Sequence, residues 1–169
     1  MSKKILKADF VFGYVIRYVN LLYWNKRIAA MKKGKKMERY KVILVDDEAE
    51  VIDMIEKKIH WNDLGFEVAG SATNGVKALE LVEKLQPDVV LTDIKMPYMD
   101  GLELSRRLNR EYPNIYIMLC TGFDEFEYAK EAVHLEIKEY MLKPVNATEL
   151  SESLTNLKHT LDREREEKL

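Results

Sequence analysis

Five polar residues each stand at the end of an apolar run in this 169-residue chain. Asp46 and Asp47 follow "KVILV", Asp93 closes "DVVLTD", Thr121 and the small Gly122 close "IYIMLCTG", and Lys143 and Pro144 follow "EYML". Burying an unpaired carboxylate is costly, and two side by side repel one another. If the runs are strands of one parallel sheet, their carboxyl ends share a rim, which is where ligands sit in open α/β sheets. Three carboxylates on that rim then need a cation. Hard oxygen donors without His or Cys beside them point to Mg²⁺ or Mn²⁺ rather than zinc. Mg²⁺ commonly shares its shell with a phosphate, and Lys and Thr are natural partners of phosphate oxygens. The chemistry implied is metal-assisted handling of a phosphoryl group. Taken singly, "DD" after a strand is an ordinary solvated loop, and "TG" and "KP" are ordinary turns. Their order at successive strand ends carries the argument.

The elements that must position these groups alternate along the chain. "KVILV" (41–45) is continuously apolar, as a strand covered on both faces is. Residues 48–59 place Val51, Ile52, Ile55 and Ile59 at helical spacing. "FEVAGSA" (66–72) is a second strand; Asn74 caps a helix whose apolar positions are Val76, Leu79, Leu81, Val82 and Leu85, and Pro87 stops it. "DVVLTD" (88–93) is a third strand, and "MPYMDG" supplies turn chemistry with Pro97 and Gly101. A helix over "LELSRRLNREY" ends at Pro113, and "IYIMLCTG" (115–122) is the fourth strand. "DEFEYAKEAVHL" (124–135) is a helix with Phe126, Ala129, Ala132 and Val133 inward. "EYML" (139–142) is the fifth strand, and Asn146 caps a long last helix. Five β-α units with short links predict an α/β fold with one doubly wound, five-stranded parallel sheet.

Composition is that of a globular protein, 47% hydrophobic and 33% charged. The single cysteine, Cys120, excludes an internal disulfide or a Cys-rich metal site, and its place inside a strand makes it a small core residue. The net charge of −2 hides an asymmetry: residues 1–36 hold ten Lys or Arg against one acid, leaving 17 basic and 28 acidic residues in the remainder. An acidic body is not itself a nucleic-acid-binding surface. Residues 1–36 form a separate basic and apolar extension. Its longest uncharged run before Arg17 is Phe10 to Ile16, short of the roughly 20 apolar residues a membrane span takes. "KKGKKM" (32–37) is what a purine-rich ribosome-binding site yields when translated in frame. Met37 is therefore read as the initiator and residues 1–36 as an extension of the reading frame, with a basic membrane-surface segment as the alternative.

With these residues in place the sequence resembles the receiver (CheY-like) domains of bacterial two-component response regulators. "ILVDDE", "DVVLTDIKMPYMDG", "CTG" and "EYMLKP" carry the likeness, which spans residues 40–160. The resemblance implies the flavodoxin-like (βα)5 fold, of which a receiver is one of the standard examples. It implies Asp93 as phosphoacceptor from a phosphohistidine on a sensor histidine kinase. Mg²⁺ would be bound by Asp47 and Asp93, by Asp46 through water, and by the backbone carbonyl of Lys95. Lys143 and Thr121 would meet the phosphoryl oxygens, Tyr140 would be the switch aromatic, and the peptide to Pro144 would be cis. The protein is then a phosphoacceptor rather than an enzyme, with self-phosphorylation and autodephosphorylation as its only turnover, and it is cytoplasmic. "IHWNDLGFEVAGSATNG" and "TGFDEFEYAKEAV" further resemble receivers found ahead of AraC-type DNA-binding domains, with Trp61, Gly65 and Phe66 carrying that likeness.

Residues 37–160 are therefore expected to form the receiver, and 161–169 the start of a linker helix. DNA would be reached only through a domain beyond Leu169. A stand-alone receiver acting as a phosphate sink or partner-binding switch is the alternative. A haloacid-dehalogenase-like phosphatase also uses Asp, Mg²⁺, Thr and Lys, but it requires D-x-D-x-T after the first strand, where this chain has "DDEAE". In the last helix Leu150, Leu154, Leu157 and Leu161 repeat at 4-3-4 spacing. The first two are expected in the core, and the last two are candidates for a homodimer seam. His60, His134 and His159 fall on no strand end and are assigned no phosphotransfer role.

Overall fold

The computed structural model describes residues 38–122, 126–135 and 137–168, without the side chains of 126–129. The expectations for residues 1–36 and Met37, and the inward packing of Phe126 and Ala129, fall outside the described residues. The elements are β1 (Tyr40–Val45), α1 (Ala49–Lys58), α2 (Trp61–Leu64), β2 (Phe66–Ala72), α3 (Gly75–Leu85), β3 (Val89–Asp93), α4 (Gly101–Glu111), β4 (Tyr116–Thr121), α5 (Phe126–His134), β5 (Glu139–Leu142) and α6 (Ala147–Glu167). All strand pairs are parallel, in the order β2-β1-β3-β4-β5. This is the doubly wound, CheY-like arrangement, whose strand order reverses between β1 and β3.

Alternation along β1 explains the two layers. Val42 and Leu44 join a cluster with Ile52, Ile55, Leu150 and Leu154, so α1 and α6 cover that face. Ile43 and Val45 join Ala78, Val82, Leu104, Leu108 and Ala132, so α3, α4 and α5 cover the other. The caps follow local chemistry. Asn74 accepts from the amide of Lys77, Asp100 from that of Glu103, and Asn146 from those of Thr148 and Glu149. Helix α3 ends at Gln86 in the left-handed conformation, directly before Pro87, which cannot continue the ladder. Among the described residues, no helix is long and apolar enough to cross a membrane.

Three expectations change. Val133 is 76% exposed while Ala132 is 4% exposed, because at 100° per residue adjacent positions cannot share a narrow buried stripe. Val76, in the first turn of α3, is also exposed, and Ala78 takes the buried position instead. Leu161, a candidate for a dimer seam, is 7% exposed within the core cluster, and Leu157 packs against the same cluster. The whole leucine stripe of α6 thus serves the fold.

The reason lies at the amino ends of β1 and β4. The Tyr40 hydroxyl donates to Asp162 at 2.9 Å, and Lys158, 6% exposed, donates to both Asp162 oxygens at 2.6 Å. The Arg165 guanidinium lies 4.3 Å from the centre of the Tyr40 ring, a cation–π arrangement. The Tyr116 hydroxyl donates to Glu164. Burial first, then the carboxylate partners, raise both phenols above their ordinary range, Tyr116 to about 12. A boundary drawn at residue 160 therefore falls inside a helix that stays docked through Arg165.

Removing Asp162 leaves the buried Lys158 ammonium and the Tyr40 hydroxyl without their shared acceptor. Asp162→Ala should destabilise the protein by about 3 kcal/mol, the low end for breaking a buried pair. Equilibrium urea unfolding, read as a fall in midpoint at constant slope, checks this.

Candidate functional site

The carboxyl ends of β1, β3, β4 and β5 bring together the polar residues that the sequence sets at the ends of its apolar runs. Asp46, Asp47 and Asp93 each offer a carboxylate oxygen within 4.8 Å of the others. Asp46 and Asp93 are 4% and 7% exposed, whereas Asp47 is open to solvent. Lys143 reaches over the edge: its Nζ is 2.8 Å from Asp46, 3.3 Å from Asp93 and 3.9 Å from Glu48. Its own amide donates to the Thr121 carbonyl at 2.7 Å, which fixes the start of the side chain against β4. The Lys143–Pro144 peptide is cis. Asp46 also accepts from the Glu48 amide at 3.0 Å, so its carboxylate turns back over the first turn of the loop.

Charge balance at the rim is incomplete. Burial, together with Asp46, raises the Asp93 carboxyl to about 6 despite the opposing pull of Lys143. Burial pulls the Lys143 ammonium down, but the Asp46 hydrogen bond and the charges of Asp93 and Asp46 outweigh it and hold its pKa above the ordinary range. One ammonium therefore does not neutralise the cluster. A hard divalent cation fits it, since the donors are all carboxylate oxygens with one open side at Asp47. Thr121 adds a second sign of an incomplete site. It is 0% exposed, and among the described residues its hydroxyl has no hydrogen-bond partner.

The loop after β3 is pinned from two sides. The Gly101 amide donates to the Ile94 carbonyl at 2.7 Å, and the Gly75 amide donates to the Met99 carbonyl at 3.1 Å. A Cβ on Gly101 would sit 2.0 Å from the Asp93 carbonyl oxygen. Gly101 has a negative φ, so close approach to the acidic residue, rather than turn conformation, demands glycine here. The sequence marked Gly101 as a turn residue, and only the folded loop reveals what it abuts. Lys95 lies exposed in this loop, two residues after Asp93. Tyr140 is half-buried on β5 and packs against the α3–α4–α5 cluster. Cys120 is buried, and burial pushes its thiol up to about 12, as for a core residue. The sequence reading missed Tyr98, at φ +68° in the same loop and 92% exposed. Its signal was a bulky residue in the turn between Pro97 and Gly101.

The fold and this rim define a doubly wound α/β domain with an acidic cluster at the carboxyl ends of its strands. The model of the response regulator receiver domain matches residues 42–155, and the chain belongs to that family. The chain is 42% identical over 125 residues to the uncharacterized transcriptional regulatory protein YesN of Bacillus subtilis (strain 168), covering 74% of this chain and 34% of that protein. It is 34% identical over 122 residues to the transcriptional regulatory protein HptR of Staphylococcus aureus (strain NCTC 8325 / PS 47), covering 72% and 48%. It thus spans between about a third and a half of the length of these curated relatives. Among solved structures, the REC domain of AraT, a response regulator from Geobacillus stearothermophilus, superposes with a TM-score of 0.71 at 39% identity, covering 75% of this chain and 98% of that one. A two component transcriptional regulator AraC from Clostridium phytofermentans ISDg superposes with a TM-score of 0.69 at 30% identity, covering 75% and 98%.

Two predictions follow from the electrostatics and the packing. Because the folded Asp93 pKa is about 6 and the unfolded value about 4, the folded state holds more protons between those values. That contribution is full below pH 4 or so and is lost as pH rises through 6. In metal-free protein, Asp93→Asn should therefore raise the unfolding free energy at pH 7.5 by about 2 kcal/mol, and the gain should vanish near pH 4. Unfolding in urea with a chelator, across that range, measures it. Gly101→Ala should cost about 1–3 kcal/mol by overpacking and weaken Mg²⁺ binding by moving Asp93, as calorimetric titration with MgCl₂ would show.

Proposed function

We propose that Asp93 accepts a phosphoryl group from a phosphohistidine of a sensor histidine kinase, and that the charged group it then carries is read by a transcriptional output of the AraC type. The observation that carries this reading is the gathering of Asp46, Asp47 and Asp93 under the Lys143 ammonium, with Thr121 at the end of the neighbouring strand β4. A carboxylate oxygen of Asp93 attacks the phosphorus in line. The new P–O bond forms as the P–N bond breaks, and the electron pair of that bond returns to the imidazole nitrogen. Such a transfer asks for positioning and charge neutralisation more than for a protein base. Mg²⁺ (or Mn²⁺) would be held by Asp47 and Asp93, by Asp46 through water and by the Lys95 carbonyl, and would supply the neutralising charge.

The chain's own groups do the rest. Lys143 already lies within 3.3 Å of Asp93 and shifts from a carboxylate oxygen to a phosphoryl oxygen. The Thr121 hydroxyl, which has no partner among the described residues, gains an acceptor. The aspartyl phosphate brings more negative charge and three strong acceptors to the end of β3. Drawing Thr121 and Lys143 inward displaces the ends of β4 and β5, and half-buried Tyr140 occupies the space that opens. The void beneath Asp46 and Asp93 is about 10 Å³, room for about one water. In this reading the chain is a phosphoacceptor switch, reached from the surface by a macromolecular donor. The AraC-type output rests on the regulators that the relatives and neighbours are described as, and would be reached through a segment beyond Leu169, in the cytoplasm.

Incubation with acetyl phosphate and Mg²⁺ should add one phosphoryl mass to the intact chain. Asp93→Asn should add none, and a chelator should abolish uptake. A second phosphoryl group, or uptake by Asp93→Asn equal to that of the intact chain, would overturn the assignment of Asp93.

A further inference from the structure

Tyr98 is the most exposed of the described large apolar side chains, at 92%. Its φ of +68° is uncommon for any residue but glycine and asparagine, and for a bulky one it marks strain. An exposed ring returns no burial to offset that strain. The backbone around it is nevertheless fixed. Met99 is 7% exposed, its carbonyl is bonded to Gly75, and a Cβ on Gly75 would lie 2.6 Å from the Met99 side chain. Asp100 caps α4, and Gly101 abuts the Asp93 carbonyl. The loop therefore holds an aromatic ring outward, five residues after Asp93, on a support that cannot slide. Across the Gly75–Met99 hydrogen bond, the flanking residue Val76 is 44% exposed. A rigid aromatic with few rotatable bonds is the kind of residue that dominates protein interfaces.

We propose that Tyr98 is a specificity-determining contact for the protein that donates the phosphoryl group, packing its ring on an apolar side chain beside the donor's phosphohistidine. This rests on Asp93 being the phosphoacceptor. The Asp93 side chain is only 9% exposed, so a histidine that reaches it must come in over the rim, and the protein carrying that histidine covers the neighbouring loop. A small phosphodonor reaches Asp93 without touching Tyr98. The strained backbone is then kept for recognition rather than stability, the trade-off seen where function and stability compete.

The test compares the intact chain with Tyr98→Asn, which tolerates φ > 0, and with Tyr98→Phe, which keeps the ring. The sensor kinases encoded by the source genome are each autophosphorylated with ATP and mixed with the intact chain, and the fastest donor is kept. Tyr98→Asn should melt at the same or a higher temperature and take up phosphate from acetyl phosphate at the rate of the intact chain. Its second-order rate of transfer from the kinase should fall by about tenfold or more, the loss typical of truncating an interface anchor. Tyr98→Phe should transfer within about twofold of the intact chain, since hydrophobic contact carries the interaction. Equal transfer to Tyr98→Asn overturns the proposal. So does a matching loss with acetyl phosphate, which would make Tyr98 a positioning residue for the site. If no kinase transfers while acetyl phosphate labels Asp93, the proposal falls and the acceptor stands. If neither labels the intact chain, the acceptor reading falls first.

Discussion

Repulsion among carboxylates at one end of a buried sheet governs this protein. Asp46 and Asp93 are held almost out of solvent by strands that are apolar on both faces, and Asp47 stands beside them at the surface. Coulomb repulsion grows as the local dielectric falls, so the cluster needs positive charge. Lys143 supplies one unit and is drawn to both buried acids. It leaves Asp93 with a raised affinity for protons. That same raised affinity fits a site that would take a second positive charge.

The rest of the fold makes the arrangement rigid where it must be and leaves it open where it can respond. The β3–α4 loop is locked because Gly101 touches the Asp93 carbonyl and Met99 is fastened to Gly75. The backbone of Lys143 is tied to Thr121. Thr121 itself holds a hydroxyl with no partner among the described residues, and Tyr140 is only half-buried nearby on β5. Buried groups left unsatisfied are costly and persist where a site uses them. Thr121 and Tyr140 both lie on the β4–β5 side of the sheet.

The opposite end of the sheet has its own lock. Tyr40, Lys158, Asp162 and Arg165 fasten the last turns of α6 to the start of β1, and Tyr116 with Glu164 adds a second tie at β4. A Cβ on Gly65 would come within 2.5 Å of the Lys158 stem, and Gly65 also has φ +85°, so this position is closed to other residues twice over. Helix α6 consequently continues the receiver body past the residues that the family model matches. Its leucines at 157 and 161 belong to the core, where spacing alone had left them as candidates for a seam between two copies.

By itself the sequence determined the periodic structure and the inventory of the site. Unbroken apolar runs specify strands covered on both faces, caps at Asn74 and Asn146 start helices, and Pro87 and Pro113 end them, because these are local effects of backbone and side-chain chemistry. The order of strand-end residues Asp46, Asp93, Thr121 and Lys143 was likewise legible, since a parallel sheet places all such ends on one rim. Tertiary structure alone decided which apolar residues were inside: Val133 and Leu161 changed places with expectation, because burial depends on what packs opposite a face, and spacing does not record that. It alone showed that Gly101 is needed for its distance from Asp93 and that Tyr98 is held at a strained angle in the loop after Asp93. It also paired Tyr40 with Asp162, 122 positions away in the chain. Contacts between such distant residues are set by the closure of the fold, and no local rule of composition or period encodes them.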